Sequence, residues 1–171
     1  MDRLASLQEA HQKVLADAKQ SLDTVRHLAS LPCDSTVASV DVLRRLRSEV
    51  YEDLNQIQHE HLIIRAAEWL FSDGGVSDEV AWFWNPRQTG DASEPDLRGI
   101  LAGKVTVSAE VTASERPVGT IDSRMQKTLT KLSNMEGKKY YFVRTEEMRK
   151  RASTKIAKGG WPISVVHLDL I

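Results

Sequence analysis

The ten residues from Val105 to Ser114 alternate between apolar and polar side chains without a break. The apolar positions are Val105, Val107, Ala109, Val111 and Ala113, and the polar ones are Thr106, Ser108, Glu110, Thr112 and Ser114. Because successive side chains of a strand point to opposite faces, this period of two predicts a β-strand with one face in the core. The polar face is expected to look either onto solvent or onto a cleft.

The rest of the chain has helices before this strand and mixed elements after it. Apolar spacing of three and four predicts helices over 3–29, 41–56 and 57–71, the last two either separate or continuous. Strands are predicted over 80–84, 96–101, 105–113, 139–143 and 163–170, with helices over 120–133 and 146–158 and a polar loop over 85–94. The order α-β-β-β-α-β-α-β after the N-terminal helices predicts an α/β fold with a mixed sheet.

Length and cysteine content limit the architecture and the compartment. A chain of 171 residues fits one domain, with residues 1–56 expected as an N-terminal helical extension and 57–171 as the main unit. Its one cysteine, Cys33, excludes an internal disulfide and a cysteine-cluster metal site. The first residues have no signal-peptide pattern, so a cytoplasmic protein is expected.

Charge is distributed unevenly along the sequence. Residues 1–96 carry 9 Lys and Arg against 17 Asp and Glu, whereas residues 97–171 carry 14 against 7. Such a division predicts a basic face for a polyanion such as nucleic acid. The alternative is that the acidic and basic halves neutralise each other by packing together.

A hairpin joins the predicted strands 96–101 and 105–113. If its loop is the three residues 102–104, Asp96 lies directly opposite Glu110. Directly opposed side chains have Cβ atoms about 4.5–5.5 Å apart, so two carboxylates placed this way repel each other unless a cation or a proton lies between them. Hard cations take carboxylate oxygens as ligands, and the sequence therefore predicts a Mg²⁺ or Mn²⁺ site.

These residues resemble the core motif of the PD-(D/E)XK nucleases. The similarity consists of Pro95-Asp96, a hairpin, Glu110-Val111-Thr112 and the α-β-β-β-α-β order, and it makes 57–171 a nuclease-like domain. The resemblance implies that Asp96, Glu110 and the backbone carbonyl of Val111 hold the metal. It also implies a catalytic Lys two residues after the Glu, where this chain has Thr112.

A cation from elsewhere is then needed in place of that Lys. Lys127, on the predicted helix 120–133, is the preferred substitute. Arg116, Arg124, Lys127 and Lys131 are the residues predicted to bind the phosphates of nucleic acid. The alternative is that this stripe is simply a solvated helix face.

The helix before the sheet offers a third acid, Glu68, which lies near an apolar face by helical projection. Many family members supply a metal-binding Glu from this helix, and the resemblance gives that role to Glu68. The alternative is a salt bridge to a nearby Arg. His59 and His61 are two residues apart, a spacing that does not place them on one helical face as a zinc pair.

The function expected from the resemblance is a Mg²⁺-dependent nuclease, acting on DNA in restriction, repair or defence against mobile elements. One alternative is a nuclease fold without catalysis that binds nucleic acid or protein, and another is an assembly protein that works through its N-terminal helix. A homodimer through that helix is predicted from Leu4, His11, Ala18 and Val25, which recur every seven residues, and from Leu7, Val14 and Leu28, a second series that Ser21 interrupts. The alternative is that this stripe packs on its own domain.

Overall fold

A computed structural model describes residues 1–72, 74–75, 79–86 and 93–168. Six strands and four helices occur in this part of the chain. In order they are β1 (Asp2–Arg3), α1 (Leu7–Ala29), α2 (Thr36–Ser72), β2 (Ala81–Trp84), β3 (Leu97–Leu101), β4 (Lys104–Thr112), α3 (Thr120–Ser133), β5 (Lys138–Val143), α4 (Glu146–Gly159) and β6 (Ile163–His167). Most of the predicted loop over 85–94 and the end of the predicted strand over 163–170 lie outside the described residues.

The strands form one mixed sheet in the order β1-β2-β3-β4-β5-β6. β1 to β4 are antiparallel neighbours, and β4, β5 and β6 are parallel. Parallel neighbours need a crossover connection, which α3 and α4 provide. The predicted α/β class with a mixed sheet is confirmed, and the predicted helix over 120–133 coincides with α3.

Helices cover both faces of the sheet. On one face α1 and α2 enclose an apolar cluster with side chains from β2, β4 and β5, including Trp82 and Trp84. On the other face α3 and α4 pack on Tyr141 and Val143. Trp82 and Trp84 are therefore core residues. No helix in the described part of the chain is long and apolar enough to cross a membrane.

The N-terminal segment is joined to the sheet by a long helix. α2 runs without interruption from Thr36 to Ser72, so the predicted boundary after residue 56 falls inside it. α1 packs along α2 and buries Val14 and Leu28 from the stripe that predicted a dimer. Val14 also belongs to the cluster that covers the sheet. Much of this stripe is therefore occupied within the chain itself.

The register of the β3–β4 hairpin is set by a shorter turn and a bulge, whereas a three-residue loop was predicted. The turn consists of two residues, Ala102 and Gly103, with positive φ values of 49° and 77°. Such a turn alone would move Asp96 to the opposite face, but a bulge adds one residue, Thr106, to β4. Beyond the bulge Arg98 pairs with Ser108, as the three-residue loop had predicted. The two differences cancel, and the pairing continues to Leu97 and Ala109, the residues next to Asp96 and Glu110.

The bulge is in close contact with Gly137, the residue before β5. Gly137 has a φ of 75°, and a Cβ atom added there would lie 2.6 Å from Thr106 O and 2.7 Å from Val107 N. Real Cβ atoms do not approach backbone so closely, so this position requires glycine for its conformation and for the space it leaves. The Thr106 hydroxyl also donates a 3.2 Å hydrogen bond to Gly99 O.

We expect Gly137→Ala to lower the free energy of unfolding more than Gly103→Ala, measured by urea denaturation. Both glycines have a left-handed backbone, which costs roughly 1–2 kcal/mol for alanine. Only Gly137 adds a collision with backbone, worth about 1–3 kcal/mol more. A Cβ atom at Gly103 meets nothing within 4 Å, which makes Gly103→Ala the matched control. Equal losses in the two variants would contradict the tight packing on the bulge.

Candidate metal centre

Asp96 is fixed just before β3 by hydrogen bonds from two sides. Its backbone oxygen accepts from the Asn85 N–H at 2.9 Å, which extends the pairing of β2 with β3. Its Oδ2 accepts from the Val111 N–H at 2.8 Å. The residue is only 4% exposed, so its carboxylate depends on these partners and their neighbours in place of water.

Glu110 lies on the polar face of β4 and is 5% exposed. Lys131 of α3 approaches from across this face, with Nζ 2.5 Å from Glu110 Oε1. The same ammonium group donates to the Glu94 carbonyl at 3.0 Å. The polar face of the predicted strand is thus buried beneath α3 at Glu110 and opens onto a cleft further along. Lys131, predicted to bind phosphate, is instead paired with a site carboxylate.

The charge of Asp96 affects the ionisation of Glu110. Burial, and then the charge of Asp96, raise the pKa of Glu110 to about 8, although Lys131 and His59 act in the opposite direction. Burial and the neighbouring negative charge thus disfavour the ionised form of Glu110, and added positive charge would favour it. Asp96 and Glu110 are therefore close enough to interact electrostatically, which is the condition for the repulsion inferred from the hairpin.

His59 of α2 completes the group and was missed by the sequence analysis as a site residue. Its Nε2 lies 3.3 Å from Asp96 Oδ2 and 3.3 Å from the Val111 carbonyl oxygen. Burial opposes a charged ring, but Asp96 and the Val111 carbonyl outweigh it and raise the pKa of His59. Among the described residues its Nδ1 has no hydrogen-bond partner. The position of His59 at the site follows from the packing of α2 against β4, which no local sequence pattern shows.

The atoms that meet here suit a divalent cation. They are two carboxylates and the Val111 carbonyl oxygen, which are oxygen ligands of the kind that Mg²⁺ and Mn²⁺ prefer, with an imidazole nitrogen beside them. The Lys131 ammonium already provides a positive charge at Glu110, in the manner of a stand-in cation. As the side chains stand, no three His, Cys, Asp or Glu residues in the described ranges are arranged as a metal-binding cluster. Binding would therefore require Lys131 to move away from Glu110.

Thr112 occupies the position where the nuclease motif has Lys. Its hydroxyl lies 2.7 Å from the hydroxyl of Tyr141, a side chain buried between the sheet and the helices α3 and α4. Burial raises the pKa of Tyr141 to about 12, so the phenol stays protonated. Thr112 is thus a neutral hydrogen-bonding residue at the edge of the site, and the cation nearest to Glu110 comes from α3.

A groove of about 1230 Å³ opens over the carboxylates. Asp96, Glu110, Val111 and Thr112 lie along it, as does His59. The predicted phosphate-binding residues Arg116, Arg124 and Lys127 also line it. Lys127 is on the wall, whereas Lys131 makes the contact with Glu110. The structure therefore brings together most of the predicted site residues around one groove.

Glu68, predicted as a metal ligand, lies away from the groove and its carboxylates. Its carboxylate lies 3.0 Å from His11 Nε2 and 3.1 Å from Arg65 Nη1, so the salt-bridge alternative describes its position. It follows His59 by nine residues, which is about 13.5 Å along a helix. His59 is the α2 residue that contacts the carboxylates, and His61 lies instead beside His11.

No known protein family, curated protein or solved structure matches this chain.

We expect the stability of the metal-free protein to depend on pH through Glu110. A carboxyl whose pKa rises from 4.5 to about 8 contributes stability that is full below pH 4.5 and is lost as the pH rises through about 8. Glu110→Gln removes this titration, so its unfolding free energy should fall less between pH 5 and pH 9 in EDTA. Asp96, Lys131 and His59 face this group and remain in the variant.

Glu115→Gln is the control, because Glu115 lines the same groove but its side chain is 64% exposed. It should follow the wild-type pH dependence. Parallel curves for the wild type and Glu110→Gln would contradict the raised pKa.

Proposed function

We propose that the protein is a divalent-metal-dependent nuclease that hydrolyses phosphodiester bonds of nucleic acid, with Asp96 and Glu110 as metal ligands. The observation that carries the proposal is the burial of these two carboxylates together at the floor of a groove with cationic residues on its wall. An acidic floor repels phosphate unless it holds a cation, whereas a cationic wall attracts phosphate. A bound metal would neutralise the acidic floor, so that a phosphate held by the cationic wall could approach it.

The architecture supports a resemblance to the PD-(D/E)XK nuclease core. α2 is followed by the antiparallel strands β2, β3 and β4, then by α3 and by β5, which is parallel to β4. Pro95-Asp96 stands at the start of β3 and Glu110 near the end of β4. This order of elements and these positions of the two acids support the resemblance.

The chain's own residues hold and orient the groups of the proposed reaction. Asp96, Glu110 and the Val111 carbonyl are the groups that would ligate Mg²⁺ or Mn²⁺. His59 Nε2 would join them only after losing its proton, since a metal-bound imidazole must be neutral. When bound, such an ion lowers the pKa of a ligated water and offsets the charge of the phosphate. Lys131, released from Glu110, is placed to stabilise negative charge where the motif uses Lys. Arg116, Arg124 and Lys127 would hold the flanking phosphates.

A nuclease fold without catalysis is the second candidate, and Thr112 favours it. The Thr112 hydroxyl is bonded to Tyr141 and offers no positive charge. Such a module would bind nucleic acid or a protein through the same groove. Homodimerisation through α1 stays a prediction. We also propose a cytoplasmic location, where exposed Cys33 would remain a free thiol.

Purified protein is expected to cleave labelled oligonucleotides or plasmid with Mg²⁺ or Mn²⁺ and not in EDTA. Asp96→Asn and Glu110→Gln should each lower the rate by about 100-fold or more, because charge stabilisation in an active site is worth that much. Glu68→Gln serves as the control acid on α2 and should retain the wild-type rate. Circular dichroism checks that each variant is folded.

The same assay identifies the lysine that acts. Lys131→Ala should lower the cleavage rate by about 10–100-fold, since it removes a cation beside the phosphate. It should not weaken metal binding, because it also removes the ammonium that is paired with Glu110 in the metal-free site. Lys104→Ala, at the exposed hairpin turn, is the matched control and should be silent. Divalent binding without cleavage of any single- or double-stranded substrate would support the inactive module and refute the nuclease.

A further inference from the structure

The two walls of the groove differ in chemistry. The wall formed by α2 presents an aromatic ring and amide groups, from Tyr51, Asn55, Gln56 and Gln58. The opposite wall, formed by α3 and the segments on either side of it, presents cations, from Arg116, Arg124, Lys127 and Arg144. Asp96 and Glu110 lie on the floor between them. The inference rests on the proposed nuclease function. The difference between the walls then limits which kind of nucleic acid can be the substrate.

The α2 wall is suited to nucleobases. The Tyr51 side chain is 57% exposed, so one face of its ring is available for stacking. Asn55 and Gln58 are exposed on the same wall, and side-chain amides can both donate to and accept from base edges. Gln56 donates to Glu60 at 3.4 Å and so contributes less. Stacking and amide contacts of this kind require bases that are not already paired.

The opposite wall is suited to one phosphate backbone. Arg116, Arg124 and Lys127 are exposed there, and Arg124 and Lys127 are neighbours on α3 at a spacing of three. Arg144 is partly neutralised by Glu115, 3.1 Å away. The α2 wall, by contrast, carries acidic Glu52 beside its amides. A duplex has a backbone along each side, whereas among the described residues that line the groove the Arg and Lys side chains lie on one wall.

The size of the groove and the depth of its floor also favour a single strand over a duplex. A volume of about 1230 Å³ is slightly above the ~300–1,000 Å³ typical of small-ligand pockets, which leaves room for a few nucleotides of one strand. Asp96 and Glu110 are 4% and 5% exposed, so a reacting phosphate has to enter between the walls. We infer that the substrate is single-stranded nucleic acid, with its bases against α2 and its phosphates against the cationic wall.

Fluorescence anisotropy tests this with fluorescein-labelled 12-nucleotide single-stranded RNA, single-stranded DNA and the matching duplexes. Ca²⁺ replaces Mg²⁺ in the buffer, so that the carboxylates can hold a cation while cleavage is limited. The single strands should bind at least about tenfold more tightly than the duplexes. Tyr51→Ala should weaken single-strand binding about 5- to 150-fold, the range for loss of one base stack, whereas Tyr51→Phe keeps the ring and the affinity. Preference between RNA and DNA identifies the sugar, and either one supports the inference.

Arg124→Ala should weaken binding and reduce the salt dependence by about one counterion. Lys158→Ala, an exposed cation at the end of α4 and outside the groove, is its control. Duplex binding as tight as single-strand binding, or full affinity in Tyr51→Ala, would overturn the inference. In Mg²⁺, cleavage confined to duplexes would refute the inference but leave the nuclease proposal. Tight single-strand binding without any cleavage would support the inference and refute the nuclease proposal.

Discussion

Two carboxylates are buried side by side at the junction of β3 and β4, and the surrounding structure compensates their repulsion. The Val111 N–H donates to Asp96, His59 lies beside the same oxygen, and Lys131 reaches Glu110 from the other face of the sheet. A buried carboxylate without such partners would cost several kcal/mol. Even with them the pKa of Glu110 stands near 8, so the site still lacks positive charge. A divalent cation would supply that charge, and this is the physical basis of the proposed function.

The meeting of the carboxylates depends on backbone geometry well away from them. A two-residue turn and a bulge together set the register, and Gly137 leaves the space that the bulge fills. The helices on the two faces then bring partners that no local sequence pattern connects, since His59 precedes Asp96 by 37 positions and Lys131 follows Glu110 by 21. The centre is therefore a product of the tertiary fold, and a change in the hairpin would disperse it.

The sequence predicted best those elements whose own residue pattern shows which face is buried. The alternation after Val105 predicted β4, and amphipathic spacing predicted α3. The opposition of Asp96 and Glu110 was predicted from a loop of the wrong length, because a bulge cannot be read from alternation alone. His59 was missed and Glu68 favoured because the rotation of α2 about its axis is set by packing on the sheet. Lys131 was assigned to phosphate because helix projection does not show which cation reaches across to β4.

The most direct test is the anomalous difference map of crystals soaked in Mn²⁺. We predict one strong peak among Asp96, Glu110, His59 Nε2 and the Val111 carbonyl, at coordination distances of about 2.0–2.4 Å, with Lys131 moved away from Glu110. Density for Mn²⁺ at other positions only, with the Lys131–Glu110 ion pair intact at saturating Mn²⁺, would contradict the metal centre on which this account depends.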